Sequence, residues 1–249
     1  MTKRTQKKQV ALLVTCLVDQ AMPDVGVSTV NVLRRAGYDV VFPPAQTCCG
    51  QPYFNSGFQS EAKKLARRTI DIFADFEAVV LPSGSCTTMI RKEYPELFKD
   101  EQTYYYRALR LASKTFELGE FLGKEGKLPA VPVPDSEKET ITYHDSCHMC
   151  RMLGLRDEPR EALTAHGYTI TEMEESDRCC GFGGVFSVRM PELSNAMTAE
   201  KLRQAKATAA PTMVTSDPGC LMQMRGMLKE DDDLKIEHLA TMLDRRDRG

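Results

Sequence analysis

The chain has 249 residues, of which 42% are apolar and 27% are charged, and its net charge is −2. This composition is typical of a globular protein with one large or two small domains, and the charge argues against nucleic acid as the main partner. The longest apolar run, residues 10–18, is shorter than the roughly 20 residues that span a bilayer. We therefore expect no transmembrane segment and a cytoplasmic location.

The chain contains nine cysteines, and this number limits the roles that they can have. Disulfide frameworks belong mainly to small secreted domains. In a reducing compartment, thiols are usually buried apolar residues, catalytic groups or metal ligands. The position of each cysteine along the chain decides between these meanings.

The cysteines recur in the same order in two parts of the chain. Cys16 precedes Cys48 by 32 residues, and Cys147 precedes Cys179 by the same interval. Cys48 and Cys179 each open a Cys-Cys-Gly triplet, and another cysteine follows after a glycine-containing turn. This order indicates an internal duplication. The first set is Cys16, Cys48, Cys49 and Cys86; the second set is Cys147, Cys179, Cys180 and Cys220; Cys150 has no counterpart.

A segment rich in proline, glycine and charge separates the two copies. The composition of residues 123–138 disfavours a helix, so they are predicted to form a linker. The predicted domains are an N-terminal domain over residues 8–122 and a C-terminal domain over residues 139–243.

Strands alternate with helices in both copies. In the first copy the patterns predict strands at 9–16, 38–42 and 78–82 and helices at 24–37 and 59–76, and the second copy repeats this order. The expected fold is α/β, with two duplicated domains that each contain a mainly parallel sheet flanked by helices. The cysteines then lie at the carboxyl ends of the strands, where open α/β sheets bind ligands. Residues 103–122 are predicted to form an aromatic helix that packs between the halves or against a partner.

Four converging thiols point to zinc or to an iron–sulfur cluster. Structural zinc sites usually contain two short Cys-x2-4-Cys pairs, and neither set has them. Ligands that are spread over three loops, with two adjacent ones in a single turn, favour a larger group such as a [4Fe–4S] cluster. We expect two clusters, one for each set, and keep zinc as the alternative.

The cysteine pattern resembles a known family. The spacing Cys-x31-Cys-Cys-Gly-x35-Cys, with x38 as the last gap of the second copy, is similar to that of cysteine-rich CCG domains. The resemblance also rests on the stretches VTCLVD, QTCCGQPYFNSG, LPSGSC, YHDSCHM, CCGFGGVFSV and GCLMQ. These domains occur in a cysteine-rich component of heterodisulfide reductase, in a component of anaerobic glycerol-3-phosphate dehydrogenase and in iron–sulfur subunits of glycolate- and lactate-oxidising systems.

This resemblance implies a function and partners. It implies an iron–sulfur electron-transfer subunit of an L-lactate (2-hydroxy acid) oxidation system that produces pyruvate, and therefore a component of an oxidoreductase complex. The implied partners are other iron–sulfur or flavin subunits of that complex. No residue is assigned a catalytic role. A thiol/disulfide redox protein of the heterodisulfide reductase type and a scaffold with two structural four-cysteine zinc sites are the alternatives.

The sequence departs from part of the family at two positions. Members with fused clusters end the motif in Cys-x-x-Cys, but the corresponding residues here are Met89 and Gln223. A thioether or an amide is a poor substitute for thiolate on iron, so four ligands in each set are expected. Cys150 is a possible extra ligand. His144 and His148 flank Cys147 and could donate hydrogen bonds to sulfur around the second set.

Overall fold

Two parallel sheets of four strands each form the framework of the protein. The computed structural model of the chain describes residues 8–125, 133–134 and 137–247. Most of the predicted linker, namely residues 126–132 and 135–136, lies outside the described residues. The predicted domain limits therefore stay predictions.

The first half contains the elements up to residue 124. They are β1 (Gln9–Leu12), α1 (Cys16–Ala21), α2 (Pro23–Arg35), β2 (Asp39–Val41), α3 (Gln51–Asn55), α4 (Gln59–Ile72), β3 (Val79–Leu81), α5 (Gly84–Thr88), a π-helical turn (Met89–Glu93), α6 (Tyr94–Leu97), α7 (Gln102–Ser113), β4 (Thr115–Glu117) and α8 (Leu118–Lys124).

The second half has the same order of strands, with a shorter connection between its last two strands. Its elements are β5 (Glu139–Tyr143), a π-helical turn (His148–Leu153), α9 (Glu158–Ala165), β6 (Tyr168–Ile170), α10 (Val185–Arg189), α11 (Pro191–Ala207), β7 (Thr212–Thr215), α12 (Pro218–Arg225), β8 (Lys235–His238) and α13 (Leu239–Asp247).

The strand order is the same in both sheets. It is β2-β1-β3-β4 in the first half and β6-β5-β7-β8 in the second, and every pairing is parallel. Parallel neighbours require crossover connections, and the helices supply them. The α/β fold with two duplicated sheets is therefore confirmed.

The backbone hydrogen bonds of the sheets match residue by residue across the halves. The Leu13 N–H donates to the carbonyl of Val80 at 3.1 Å, and the His144 N–H donates to that of Val214 at 2.8 Å. The positions of the two halves can therefore be paired from geometry, without reference to side chains.

The structure corrects two expectations about secondary structure. Each sheet has a fourth strand, β4 or β8, that the sequence patterns did not predict. The aromatic segment 103–122 is not one helix, since β4 interrupts it between α7 and α8. Thr115 and Glu117 are buried at this interruption.

The two halves share one hydrophobic core. Val10 and Val80 of the first sheet belong to the same buried cluster as Tyr143 and Val214 of the second. The other face of the first sheet, with Leu13 among its residues, packs against α4 and α7 in a separate cluster.

Polar contacts reinforce the junction between α2 and α13. Asn31 donates to the buried carboxylate of Asp244 at 3.2 Å, and Arg35 forms an ion pair with the same group. The halves are thus joined by core packing and by paired polar groups. Among the described residues, we find no helix that is both long and apolar enough to cross a membrane.

Candidate metal centre

The loops that follow the sheet strands bring the first set of cysteines together. Cys16 is the first residue of α1, Cys48 and Cys49 precede α3, and Cys86 lies in α5 just after β3. The Sγ atoms of Cys16 and Cys48 are 3.7 Å apart, and those of Cys49 and Cys86 are 3.4 Å apart. Thiols from three separate loops therefore meet at the carboxyl edge of one sheet.

The second set has the same arrangement. The Sγ atoms of Cys180 and Cys220 are 3.0 Å apart, and Cys147 and Cys179 line the same cavity as they do. Cys147 follows β5, the Cys-Cys pair follows β6, and Cys220 lies in α12 after β7. In both halves the cysteines therefore follow the strands of the sheet, and pairs of their thiols lie close together.

The glycine of each triplet holds the Cys-Cys turn in shape. Gly50 and Gly181 have φ values of +91° and +90°, a conformation that side chains disfavour. Each glycine N–H donates to the sulfur of the first cysteine of its triplet at 3.4 Å. A Cβ at Gly181 would lie 2.5 Å from the carbonyl oxygen of Ser194. Glycine is therefore required both by the turn and by the close approach of α11.

Hydrogen bonds within each set lower the pKa of one thiol. Hydrogen bonds from Cys16, Cys49 and the Gly50 N–H lower the pKa of Cys48 to about 3. Hydrogen bonds from Cys147 and Cys180 likewise lower the pKa of Cys179 to about 2. The same hydrogen bonds, together with burial, raise the pKa values of Cys16 and Cys147. Thiolate is the form that binds metal.

A hydroxyl group fixes the second cysteine of each triplet through its carbonyl. Tyr94 donates to the carbonyl of Cys49 at 2.7 Å, and Thr198 donates to that of Cys180 at 2.7 Å. Tyr94 comes from α6 and Thr198 from α11. The two halves therefore hold the same turn with donors from different elements.

All eight cysteines line one cavity of about 180 Å³. The two halves face each other across it, so that the sites are not on separate surfaces. Gln51 and Asp217 also line this shared cavity. The sequence predicted one site in each half but did not predict that both would open onto the same space.

Backbone and side-chain contacts join the two halves around the cavity. The buried carboxylate of Asp217 accepts from the Ser85 N–H of the other half at 2.7 Å and from Gly219 N–H in its own helix at 3.1 Å. Gln51 lies 3.3 Å from the ring of His148 across the cavity. Sequence reasoning missed Asp217 and Gln51. Their signals were an acidic residue before Pro-Gly-Cys and a polar residue directly after Cys-Cys-Gly.

The two candidate histidines occupy different environments. The Nδ1 atom of His148 is 3.6 Å from the sulfur of Cys147, and the residue lines the cavity. His144 is fully buried, and its ring lies within 4.8 Å of the sulfur atoms of Cys180 and Cys220. Burial lowers the pKa of His144 to about 3, which leaves the imidazole neutral at physiological pH.

A buried lysine adds charge to the second site. The ammonium of Lys201 donates to the carbonyl oxygens of Glu175 and Ser176, and burial lowers its pKa to about 8. Sequence reasoning missed this residue because a single lysine on a helix is usually solvent-exposed.

The other candidate ligands lie apart from the thiols. Within the described part of the chain, Cys150, Met89 and Gln223 are not among the residues that line the shared cavity. Met89 is buried in the core, and the amide of Gln223 donates to Ser194 and Thr198. The sulfur of Cys150 accepts from Arg156 at 3.8 Å. Eight of the nine cysteines therefore line the shared cavity, and Cys150 does not.

These features define a class of protein: a duplicated α/β chain whose halves each present four cysteines to a common cavity. Residues 10–91 and 141–225 match the cysteine-rich domain family named CCG. The chain is 45% identical over 240 residues to lactate utilization protein A of Bacillus subtilis (strain 168), which covers 96% of this chain and 100% of the relative. It is 43% identical over 242 residues to lactate utilization protein A of Halalkalibacterium halodurans, with 96% and 98% covered. The chain belongs to the cysteine-rich CCG family, as the motifs predicted.

Proposed function

We propose that this protein is an iron–sulfur electron-transfer subunit of a cytoplasmic system that oxidises L-lactate to pyruvate. Two [4Fe–4S] clusters are its cofactors, one bound by each set of cysteines. The partners are iron–sulfur or flavin subunits of the same system. The substrate class rests on the likeness to the lactate utilization proteins, because no residue of the cavity selects lactate by itself.

The observation that carries the proposal is the shared cavity lined by two sets of four thiols. Thiolate is a soft ligand suited to iron–sulfur clusters and zinc. Two such sites that face one space permit electrons to pass between them within a single chain. A purely structural site would have no need of a common opening.

The spacing of the sulfur atoms favours a group with several metal ions over a single zinc ion. With Zn–S distances of about 2.3 Å, four tetrahedral sulfur atoms lie about 3.8 Å from one another. Pairs of thiols are that close, but among the described residues the one trio of donors within 4.8 Å is His144, Cys180 and Cys220. Each set is therefore wider than a single ion requires.

The residues present fit the proposed clusters. The four thiols of each set would hold one cluster, and the N–H groups of Gly50 and Gly181 would donate to ligating sulfur. When bound, such a cluster accepts and releases one electron at a time. The chain itself supplies the donors, the buried surroundings and the fixed relation between the two sites.

The heterodisulfide reductase alternative is less well supported. In the relevant family members a fifth cysteine completes each motif, and here Met89 and Gln223 occupy those positions. Met89 packs in the core and Gln223 is bonded to two hydroxyl groups, so neither side chain can be recruited without repacking. We therefore favour electron relay over disulfide chemistry.

Anaerobic purification followed by metal and sulfide analysis tests the cofactor. We expect about eight iron and eight acid-labile sulfide per chain, the content of two [4Fe–4S] clusters. We expect L-lactate to bleach the visible absorption only when the partner subunits are added. Stoichiometric zinc without sulfide would overturn the cluster assignment, and bleaching by lactate without any partner would overturn the relay role.

A further inference from the structure

The two four-cysteine sites differ at one buried position next to the thiols. Leu13 and His144 are equivalent residues, because their N–H groups donate to the equivalent carbonyls of Val80 and Val214. Both side chains are buried, Leu13 at 1% exposure and His144 at 0%. An apolar residue in the first half is thus replaced by an imidazole in the second.

The imidazole of His144 has no hydrogen-bond partner in the described chain. Neither Nδ1 nor Nε2 is bonded, although both are inaccessible to solvent. The carbonyl of Ser176 lies near the ring but does not form a hydrogen bond of acceptable geometry with it. The ring faces Cys180 and Cys220, whose sulfur atoms are within 4.8 Å.

A buried polar group without a hydrogen-bond partner destabilises the folded protein. We therefore expect that a partner for the ring is missing from the structure. Leaving a buried donor or acceptor unsatisfied costs about 1–3 kcal/mol. Leu13 shows that this position accepts a side chain with no polar atoms. A group bound by the second set would supply this partner.

The two sites also differ at a second buried position. The glycine of the first triplet lies against Ala62 and Leu65 of α4, and that of the second lies against Ser194 and Met197 of α11. These contacts align α4 with α11, and in this alignment Thr69 is equivalent to Lys201. Lys201 is fully buried, and its charge interacts with the thiols of Cys180 and Cys220. The second site is therefore more polar than the first, and its buried charges include the carboxylate of Asp217 as well as the ammonium of Lys201.

We propose that His144 donates a ring N–H to the iron–sulfur group of the second set and thereby raises the reduction potential of this site. This inference rests on the proposed function. Hydrogen bonds to cluster sulfur stabilise the more negative, reduced state and raise the potential.

Potentiometric titration monitored by EPR tests the proposal on the holoprotein. A Cys49→Ser background leaves only the second cluster, and a Cys180→Ser background leaves only the first, so each signal is assigned. Replacing His144 by Leu copies the first half. We expect His144→Leu to shift the midpoint potential of the second cluster to more negative values and to leave that of the first unchanged.

Two further variants make the test specific. His144→Gln keeps an N–H donor, and we expect it to retain most of the potential that His144→Leu loses. Leu13→Met conserves volume at the paired position and should shift neither potential. An unchanged potential in His144→Leu, or a Gln variant equal to the Leu variant, would contradict the role of His144. Absence of iron and sulfide from the unmodified protein would instead refute the proposed function.

Discussion

The two halves of the molecule hold the same thiols on the same backbone but surround them with different side chains. The register of the sheets, the turn at the Cys-Cys-Gly triplet and the glycine N–H to sulfur bond are shared. The neighbours are not: Leu13 is paired with His144, and Thr69 with Lys201. The backbone therefore sets where the donors lie, whereas the buried neighbours set the electrostatics of each site.

The edge strands show the same contrast. Leu81 pairs with Glu117 in the first sheet, and Thr215 pairs with His238 in the second, so the buried acid and the buried base are equivalent residues. Glu117 accepts from the Gly119 N–H, and His238 accepts from the Ala240 N–H. Each side chain caps the helix that follows, and each is kept neutral by burial. The capping role is common to both halves, but the chemical group is not.

The strongest test of the comparison is to remove one site at a time. We expect Cys49→Ser or Cys180→Ser to reduce iron and sulfide by about half, because each variant loses one of two clusters. Metal and sulfide analysis after anaerobic purification measures this. Cys150→Ser is the matched control and should keep the full content. Loss of all iron in either single variant would mean that the sites do not load independently.

The second test compares the paired residues Glu117 and His238. Burial raises the pKa of Glu117 to about 8, well above that of an unfolded glutamate. The neutral carboxyl therefore stabilises the fold at low pH, and this stability is lost as the pH rises from about 4 to about 8. Between about pH 5 and pH 8 we expect the unmodified protein to lose roughly 2–4 kcal/mol more than Glu117→Gln.

Denaturant unfolding at several pH values measures this difference. His238→Asn is the control, because burial lowers the pKa of His238 to about 4 and its effect falls on the acid side. That variant should retain the alkaline loss of stability. Equal pH profiles for Glu117→Gln and the unmodified protein would show that Glu117 is ionised in the folded state.

Much of this architecture could be predicted because its signals are local. The duplicated α/β fold is predicted by three local features: cysteines at matched intervals, a glycine after each Cys-Cys pair, and apolar runs that alternate with amphipathic helices. The short strands β4 and β8 could not be predicted in this way. Their sequences, TFE and KIEH, mix polar with apolar residues, and tertiary burial decides their conformation.

The way in which the two halves contact each other could not be predicted from the sequence either. Asp217 and Ser85 meet across the cavity although they are far apart in the chain, and no spacing encodes their contact. The difference between Leu13 and His144, in contrast, is visible once the repeats are aligned at Cys16 and Cys147. Aligning every position of the repeats, in addition to the cysteines, would have identified it.

A third test concerns how closely the halves approach. Gly84 lies against Met149 of the other half, and a Cβ at Gly84 would be 2.4 Å from the Met149 Cγ. We expect Gly84→Ala to destabilise the protein by about 1–3 kcal/mol, since Met149 is buried and cannot move freely. Thermal unfolding measures the change. Gly123→Ala is the control, because a Cβ there meets nothing within 4 Å.

The smallest expected effect is the difference in stability loss between variants of the equivalent helix caps Ser83 and Asp217. Ser83 accepts from Cys86 N–H within its own half, whereas Asp217 also accepts from Ser85 of the other half. Asp217→Asn leaves one oxygen for two donors, so we expect a loss of about 1–2 kcal/mol in unfolding free energy. Ser83→Ala should cost about 1 kcal/mol, the usual value for a lost cap. If the Asp217→Asn and Gly84→Ala effects add fully in the double variant, the two contacts join the halves independently. A combined loss smaller than the sum would mean that they break together.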